Sequence, residues 1–324
     1  MPIHRPVPTE YQSALRPGQW SALARLQQWL VGVALGATLV WLAVFLPDRP
    51  GWALIGPLLL VSGHAVVLGL EFALAAWVNR GDAAAPASFR QWLGAWWQEV
   101  KAAPVVFAWR QPFRWKRCPD DAEPVPGDAA TVVLVHGFVC NRGLWTPWMT
   151  ALRSSGLPYV SVNLEPVFGS IEAYVPVIEA AVCRAERLGG GPPVLVGHSM
   201  GGLAIRAWLA GQADPDRVAQ VVTIGTPHRG TWLARFSHVT NGRQMRPEGE
   251  WLADLERRER ARCADRYARF VCWYSNTDNI VFPASTATLP GADNRLLPGA
   301  AHVALAFEPA VLASVKALAR SDKV

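Results

Sequence analysis

Between Leu26 and Val78 the chain carries only three charged residues, Asp48, Arg49 and Glu71, and a stretch this long and apolar cannot form the outside of a water-soluble domain. Residues 26–46 are uncharged, and at about 1.5 Å per residue they cover the roughly 30 Å of a bilayer's hydrocarbon. Pro47, Asp48, Arg49, Pro50 and Gly51 break the run with helix breakers and charge, and a second apolar run occupies 52–78. The pattern predicts a transmembrane helical hairpin over 26–78, with Trp29 and Trp77 near one interface and Trp41 and Trp52 near the other. Arg5, Arg16 and Arg25 precede it and Arg80 and Arg90 follow it, whereas the connection holds only Arg49. That asymmetry puts both termini on the cytoplasmic side of the cytoplasmic membrane. The first run starts too late and is too long for a cleaved signal peptide. His64 and Glu71 are ionisable groups within the second run. Two helices cannot enclose a transport path, so the expectation is a polar contact between helices or chains instead of a proton relay.

Residues 1–25 then read as a cytoplasmic segment and 79–128 as a Trp- and Arg-rich segment with a linker. In the latter, Trp92 and Trp96 lie four residues apart and share a helical face, with Trp97 beside them, which suits a helix in the membrane interface. Residues 119–128 are acidic and proline-rich, as a linker is. The net charge of +6 invites a nucleic-acid partner, but no zinc-finger, RRM, KH or basic-zipper pattern accompanies it, so an anionic membrane is the expected partner. Cys118, Cys140, Cys183, Cys263 and Cys272 have no metal-ligand spacing and an odd count, and read as free thiols.

From residue 129 to 324 short β-branched runs (131–135, 159–162, 194–197, 221–225, 271–275, 294–298) alternate with helical stretches near 143–155, 170–188, 201–211 and 303–320. Strands that are continuous apolar runs between helices predict an α/β domain with a mainly parallel sheet covered on both faces. At the end of the third run stands Gly197-His198-Ser199-Met200-Gly201, a G-x-S-x-G between strand and helix, where small neighbours leave a serine hydroxyl projecting above the sheet edge. A triad built on Ser199 needs an acid and then a histidine later in the chain. Asp278 follows the fifth run, and His302 follows the sixth. Asp293 competes for the acid's role, but it precedes the last strand at its amino end. Oxyanion donors are expected from the backbone N–H of Phe138, after the first strand, and of Met200, after the nucleophile. His136 and His198 flank this chemistry as packing residues, and Cys140 reads as an inert apolar side chain.

The ordered motifs VLVHGF, VLVGHSMGG, TIGTPHRGT, NTDNIVFP and GAAHVALAF, spread over 131–307, resemble those of the bacterial triacylglycerol lipases and related esterases of the α/β-hydrolase superfamily. The resemblance implies an α/β-hydrolase fold, with about six mainly parallel strands between two helical layers. It also implies that 232–270 is a lid-like insertion near the active-site mouth. No cofactor is called for. The expected activity is cleavage of carboxylic esters, lipid or acyl, by a membrane-anchored serine hydrolase through an acyl-enzyme. The same triad also serves a thioesterase, an acyltransferase or an intracellular polyester depolymerase, and an idle scaffold is the reading from another class. The sequence does not speak to oligomeric state.

Overall fold

The computed structural model describes residues 21–121, 129–262 and 265–320. Arg5, Arg16, most of the expected N-terminal segment, residues 122–128 of the linker and Cys263 lie outside the described residues.

Helix α1 spans Ala22–Phe45, with the Ser21 hydroxyl accepting from the Ala24 N–H to cap it, and α2 spans Pro50–Val78. Pro50 stands at the start of α2, where its missing N–H leaves no intrahelical bond unmade. The two helices cross closely at Gly56, where a Cβ would come within 2.6 Å of the Trp41 ring, and the Trp41 indole donates to the Trp52 carbonyl. Both helices are long and apolar enough to cross a membrane, and their outer faces expose Trp29, Leu39, Leu54, Val61 and Leu70. A third apolar stretch, 302–320, is part of the globular domain and almost half buried within it.

Helix α3 (Phe89–Ala103) opens on a capping box between Ser88 and Gln91 and runs into a π-helical segment, Pro104–Arg114. Trp92 and Trp96 do share a face, but that face turns onto α2. The Trp96 indole donates to the Ala65 carbonyl at 2.8 Å, and the Trp92 ring meets Phe72 edge-on. The exposed apolar stripe is instead Phe89, Leu93 and Trp97, also spaced by four. His64 bonds the Val100 carbonyl at 3.1 Å, a polar contact between α2 and α3.

The globular part is a six-stranded sheet of β1 (Val132–Val135), β2 (Tyr159–Ser161), β3 (Val194–His198), β4 (Gln220–Ile224), β5 (Phe270–Tyr274) and β6 (Asp293–Leu296). The order across the sheet is β2-β1-β3-β4-β5-β6, every pair parallel, with Val133 opposite both Val160 and Leu195, and Val222 opposite both Val196 and Val271. Side chains alternate between the faces. Val133, Val135, Leu195 and Val221 pack under α5 (Val175–Leu188), α6 (Met200–Ala210) and α8 (Glu250–Arg260). Val132, Leu134, Val194, Val196 and Ile224 pack under α4 (Thr146–Arg153) and α10 (Pro309–Arg320). The expected helix 303–320 is two, α9 (His302–Leu305) and α10, because Pro309 disfavours helical geometry at Glu308.

Within 232–270 lie a short helix, α7 (Thr240–Gln244), and α8. Leu252 and Leu255 enter the core beneath α8, and Arg206 on α6 forms a buried ion pair with Glu259 at 2.7 Å. Arg257, Arg258 and Arg260 pair with Asp254, Glu172 and Glu256 across and beside α8. Trp232 stacks on Phe282, while Phe236 is exposed.

Candidate active site

The chain leaves β1 towards β2 on one side and returns to β3 on the other, so the carboxyl ends of β1 and β3 flank the crevice where an open parallel sheet offers a site. Ser199 stands there, between β3 and α6, with φ 55° and ψ −129°. A non-glycine residue in that region of backbone space costs on the order of 1–3 kcal/mol and persists only when its surroundings hold it. Its N–H donates to the Ile224 carbonyl on β4 at 2.8 Å, and two glycines permit the approach of its neighbours. A Cβ on Gly201 would collide with the backbone carbonyls of Val135 and His136, and one on Gly137 would lie 2.7 Å from Ser199 Cβ.

Met200 opens α6, so its N–H is one of the first-turn donors with no acceptor inside the helix, and it sits at the positive end of the helix dipole. Phe138 follows Gly137 in the turn after β1 that lies against Ser199, and its ring meets the half-exposed Phe168 edge-on. Both expected oxyanion donors therefore belong to segments that touch the serine.

His302 begins α9 and Asp278 sits in the turn after β5; both are buried. His302 Nδ1 donates to Asp278 Oδ2 at 2.8 Å, and the other carboxylate oxygen accepts the N–H groups of Ile280 and Val281. The carboxylate is fixed on both sides, which fixes the ring and leaves Nε2 as the basic nitrogen. Burial by itself makes the imidazole less basic, but Asp278, with Glu99 and Glu71 beyond it, outweighs burial and raises its pKa. Among the described residues Ser199 Oγ makes no hydrogen bond to His302; such bonds often tighten only when substrate binds. Asp293 stands at the amino end of β6, exposed and paired with Arg295.

Burial holds His136 at a pKa of about 4, and burial with the neighbouring His302 holds His198 at about 3, so both are neutral. His136 Nε2 accepts from the Leu164 N–H, and His198 Nε2 donates to the His302 carbonyl. Burial pushes the Cys140 thiol up to about 12, far from a thiolate.

Three further groups surround His302. Asn279 Oδ1 accepts the His302 N–H at 3.2 Å while its amide donates to Glu71 Oε2 on α2 at 3.1 Å. Glu99 on α3, 2% exposed, accepts the N–H groups of Val303 and Ala304 at 3.1 and 3.3 Å. Burial pushes the Glu99 carboxyl up to about 7. Asn279 follows Asp278 directly in the sequence, whereas Glu99, an acid one turn past the tryptophans of α3, carries no sequence signal of this contact.

Residues 130–307 match the family described as alpha/beta hydrolase fold. A rice protein (Oryza sativa subsp. indica) named as a probable esterase is 34% identical over 122 residues, 32% of this chain and 44% of that protein. A triacylglycerol lipase of Pseudarthrobacter phenanthrenivorans is 35% identical over 120 residues, 32% of this chain and 35% of the lipase. The chain thus spans less than half the length of these relatives. Among solved structures, Aspergillus fumigatus lipase B is similar in fold, with a TM-score of 0.54 at 15% identity over 95% of this chain and 84% of that one. The family match covers more than half of the chain and takes in the parallel sheet with its strained serine and the His302–Asp278 pair; the chain belongs to the α/β-hydrolase fold family.

Proposed function

We propose that the chain is a membrane-anchored serine hydrolase that cleaves carboxylic esters, lipid or acyl, through an acyl-enzyme. The observation that carries the reading is the buried His302–Asp278 pair beside a serine held in a strained turn at the sheet's carboxyl edge. The esterase and lipase names of the relatives agree with it. In this reading Ser199 Oγ attacks the acyl carbonyl as His302 Nε2 takes its proton. The N–H groups of Phe138 and Met200 stabilise the oxyanion, and the imidazolium, steadied by Asp278, protonates the leaving alcohol. Water activated by His302 then releases the acid.

The hairpin 26–78 anchors this domain, residues 129–324, to a bilayer. Exposed apolar side chains on α1 and α2, and the Phe89–Leu93–Trp97 stripe on α3, are the surface that lipid would cover. The arginine distribution favours termini and catalytic domain on the cytoplasmic face. The anchor keeps the site beside a two-dimensional store of acyl esters, which is the argument for lipid-like substrates. Trp232 and Phe236, in the lid-like insertion 232–270, are the residues that would meet an acyl chain at the mouth.

The test is turnover by the full-length protein in membranes of triacylglycerol and aryl esters, acyl-CoA thioesters and polyester granules, side by side with Ser199→Ala. Ester turnover that vanishes in the variant supports the reading. Faster thioester or polyester turnover moves the assignment to those acyl groups, and inactivity on all three would leave an idle scaffold. For topology, protease added to intact spheroplasts should spare the catalytic domain, and digestion from outside would reverse the orientation.

A further inference from the structure

We propose that Glu99 on α3, with Glu71 on α2 acting through Asn279, positions the catalytic histidine and stabilises its protonated form, so that the general base of this site is completed by the N-terminal helices. The inference rests on the hydrolase reading above and adds two positioning residues from outside the family's matched span, residues 130–307.

The geometry is specific. The loop that delivers His302 has three consecutive backbone donors, the N–H groups of His302, Val303 and Ala304. These are the first-turn donors of α9, which have no acceptor inside the helix, and in a buried setting each needs a partner. Among the described residues the hydrolase domain supplies one acceptor, Asn279 Oδ1, and the same side chain donates its amide to Glu71. The other two donors are taken by the two oxygens of Glu99. Apolar packing follows the same route, since Phe72 of α2 and Ala95 of α3 form one buried cluster with Ala301, the residue before the histidine.

A carboxylate in this position does more than cap a helix. It lies in a low-dielectric setting close to the imidazole, where a negative charge favours the imidazolium formed as the serine is deprotonated. The ionisable groups facing Glu99 from the hydrolase are His302 and Asp278, with His198 behind the His302 ring; on α2, Glu71 reaches the same loop through Asn279 and His64 bonds the carbonyl of Val100, and on α3 itself Lys101 lies over the Trp97 ring. Of these, His302 and Asp278 act on the Glu99 carboxyl. Glu99, titrating near 7, and His302, whose pKa is raised, are therefore a coupled pair.

The sign is definite. Removing a negative charge beside an imidazole lowers its pKa, so in Glu99→Gln the base stays unprotonated to lower pH while the imidazolium in the transition state loses support. Glutamine keeps the size and one carbonyl acceptor. The experiment is the pH profile of kcat/KM for a short aryl ester, and of fluorophosphonate labelling rate, on full-length protein in membranes. The acid limb of Glu99→Gln should move to lower pH by about half a unit, and kcat should fall about three-fold, the same loss of imidazolium support, with little change in KM. Glu71→Gln, which keeps an acceptor for Asn279, should move the limb the same way by less. A limb that stays where wild type has it, whether or not the rate falls, reduces Glu99 to a structural cap and overturns the proposal. If Glu99→Gln does not fold, Glu71→Gln decides by the same criterion. Wild-type protein that neither labels nor turns over ester would instead bring down the hydrolase reading and this inference with it.

Discussion

The two halves of the candidate site are held in different ways. The nucleophile half is local: Ser199, Gly201, Gly137 and the Phe138 turn meet within a few ångströms, on adjacent strands of one sheet. The histidine half is remote. His302 is fixed by Asp278 and Asn279 from the hydrolase, and its loop by Glu99 from a helix 204 residues away in sequence. Other bonds follow the same path, with Asn79 and Asp82 accepting the N–H groups of Ala284 and Ser285, and Ala85 accepting from Asn276. One half is built by the fold, and the other is finished by the segment that leads out of the N-terminal helical hairpin.

The largest effect belongs to the link inside the hydrolase. Asp278→Asn should keep the fold and lower kcat by about 10⁴-fold, because the amide no longer holds the productive imidazole tautomer. Retained turnover would remove Asp278 from the proposed triad. Gly137→Ala probes the serine half; its Cβ would stand 2.7 Å from Ser199 Cβ and 3.0 Å from the His198 carbonyl, displacing the turn proposed to hold the oxyanion. Steady-state kinetics should show a loss of about 10²–10³-fold in kcat. A wild-type rate would mean that the turn adapts and the halves are less different than described.

Stability against pH tests the remote half. The folded-state pKa of Glu99 lies above the ordinary carboxyl value of 4.5, at about 7, so the protonated acid favours folding below 4.5 and that contribution is lost as pH rises through 7. Its size is on the order of 3 kcal/mol. Denaturation midpoints in detergent should therefore decline between pH 4.5 and 7 more steeply for wild type than for Glu99→Gln; parallel curves would show that the carboxyl is not buried as described. Smallest of all, Cys140→Ser should change activity by less than about two-fold, since burial holds its thiol far from ionisation, and a large loss would make Cys140 part of the site.

What was legible in the sequence follows the same division. The placement of Gly197 to Gly201 at a strained turn, and the meeting of Asp278 with His302, were legible because short-range geometry dictates residue types there: a serine at φ 55° needs small neighbours, and the two partners leave the carboxyl ends of consecutive strands. The hairpin was legible from hydropathy alone. Which face of α3 points inward was not, because Phe89, Leu93 and Trp97 have the same spacing as Trp92 and Trp96, and only the Ala65 carbonyl and Phe72 on α2 decide between them. Glu99 was hidden for the same reason, its partners being backbone groups on a distant helix. The break before α10 had a signal in Pro309 that a continuous apolar run masked.

The central claim is that Ser199 is an activated nucleophile. Fluorophosphonate labelling of full-length protein in membranes, beside Ser199→Ala, tests it without knowledge of the natural substrate. The account predicts covalent labelling of wild type, mapped to Ser199 and absent from the variant. No labelling of folded wild type, or equal labelling of both, would contradict it.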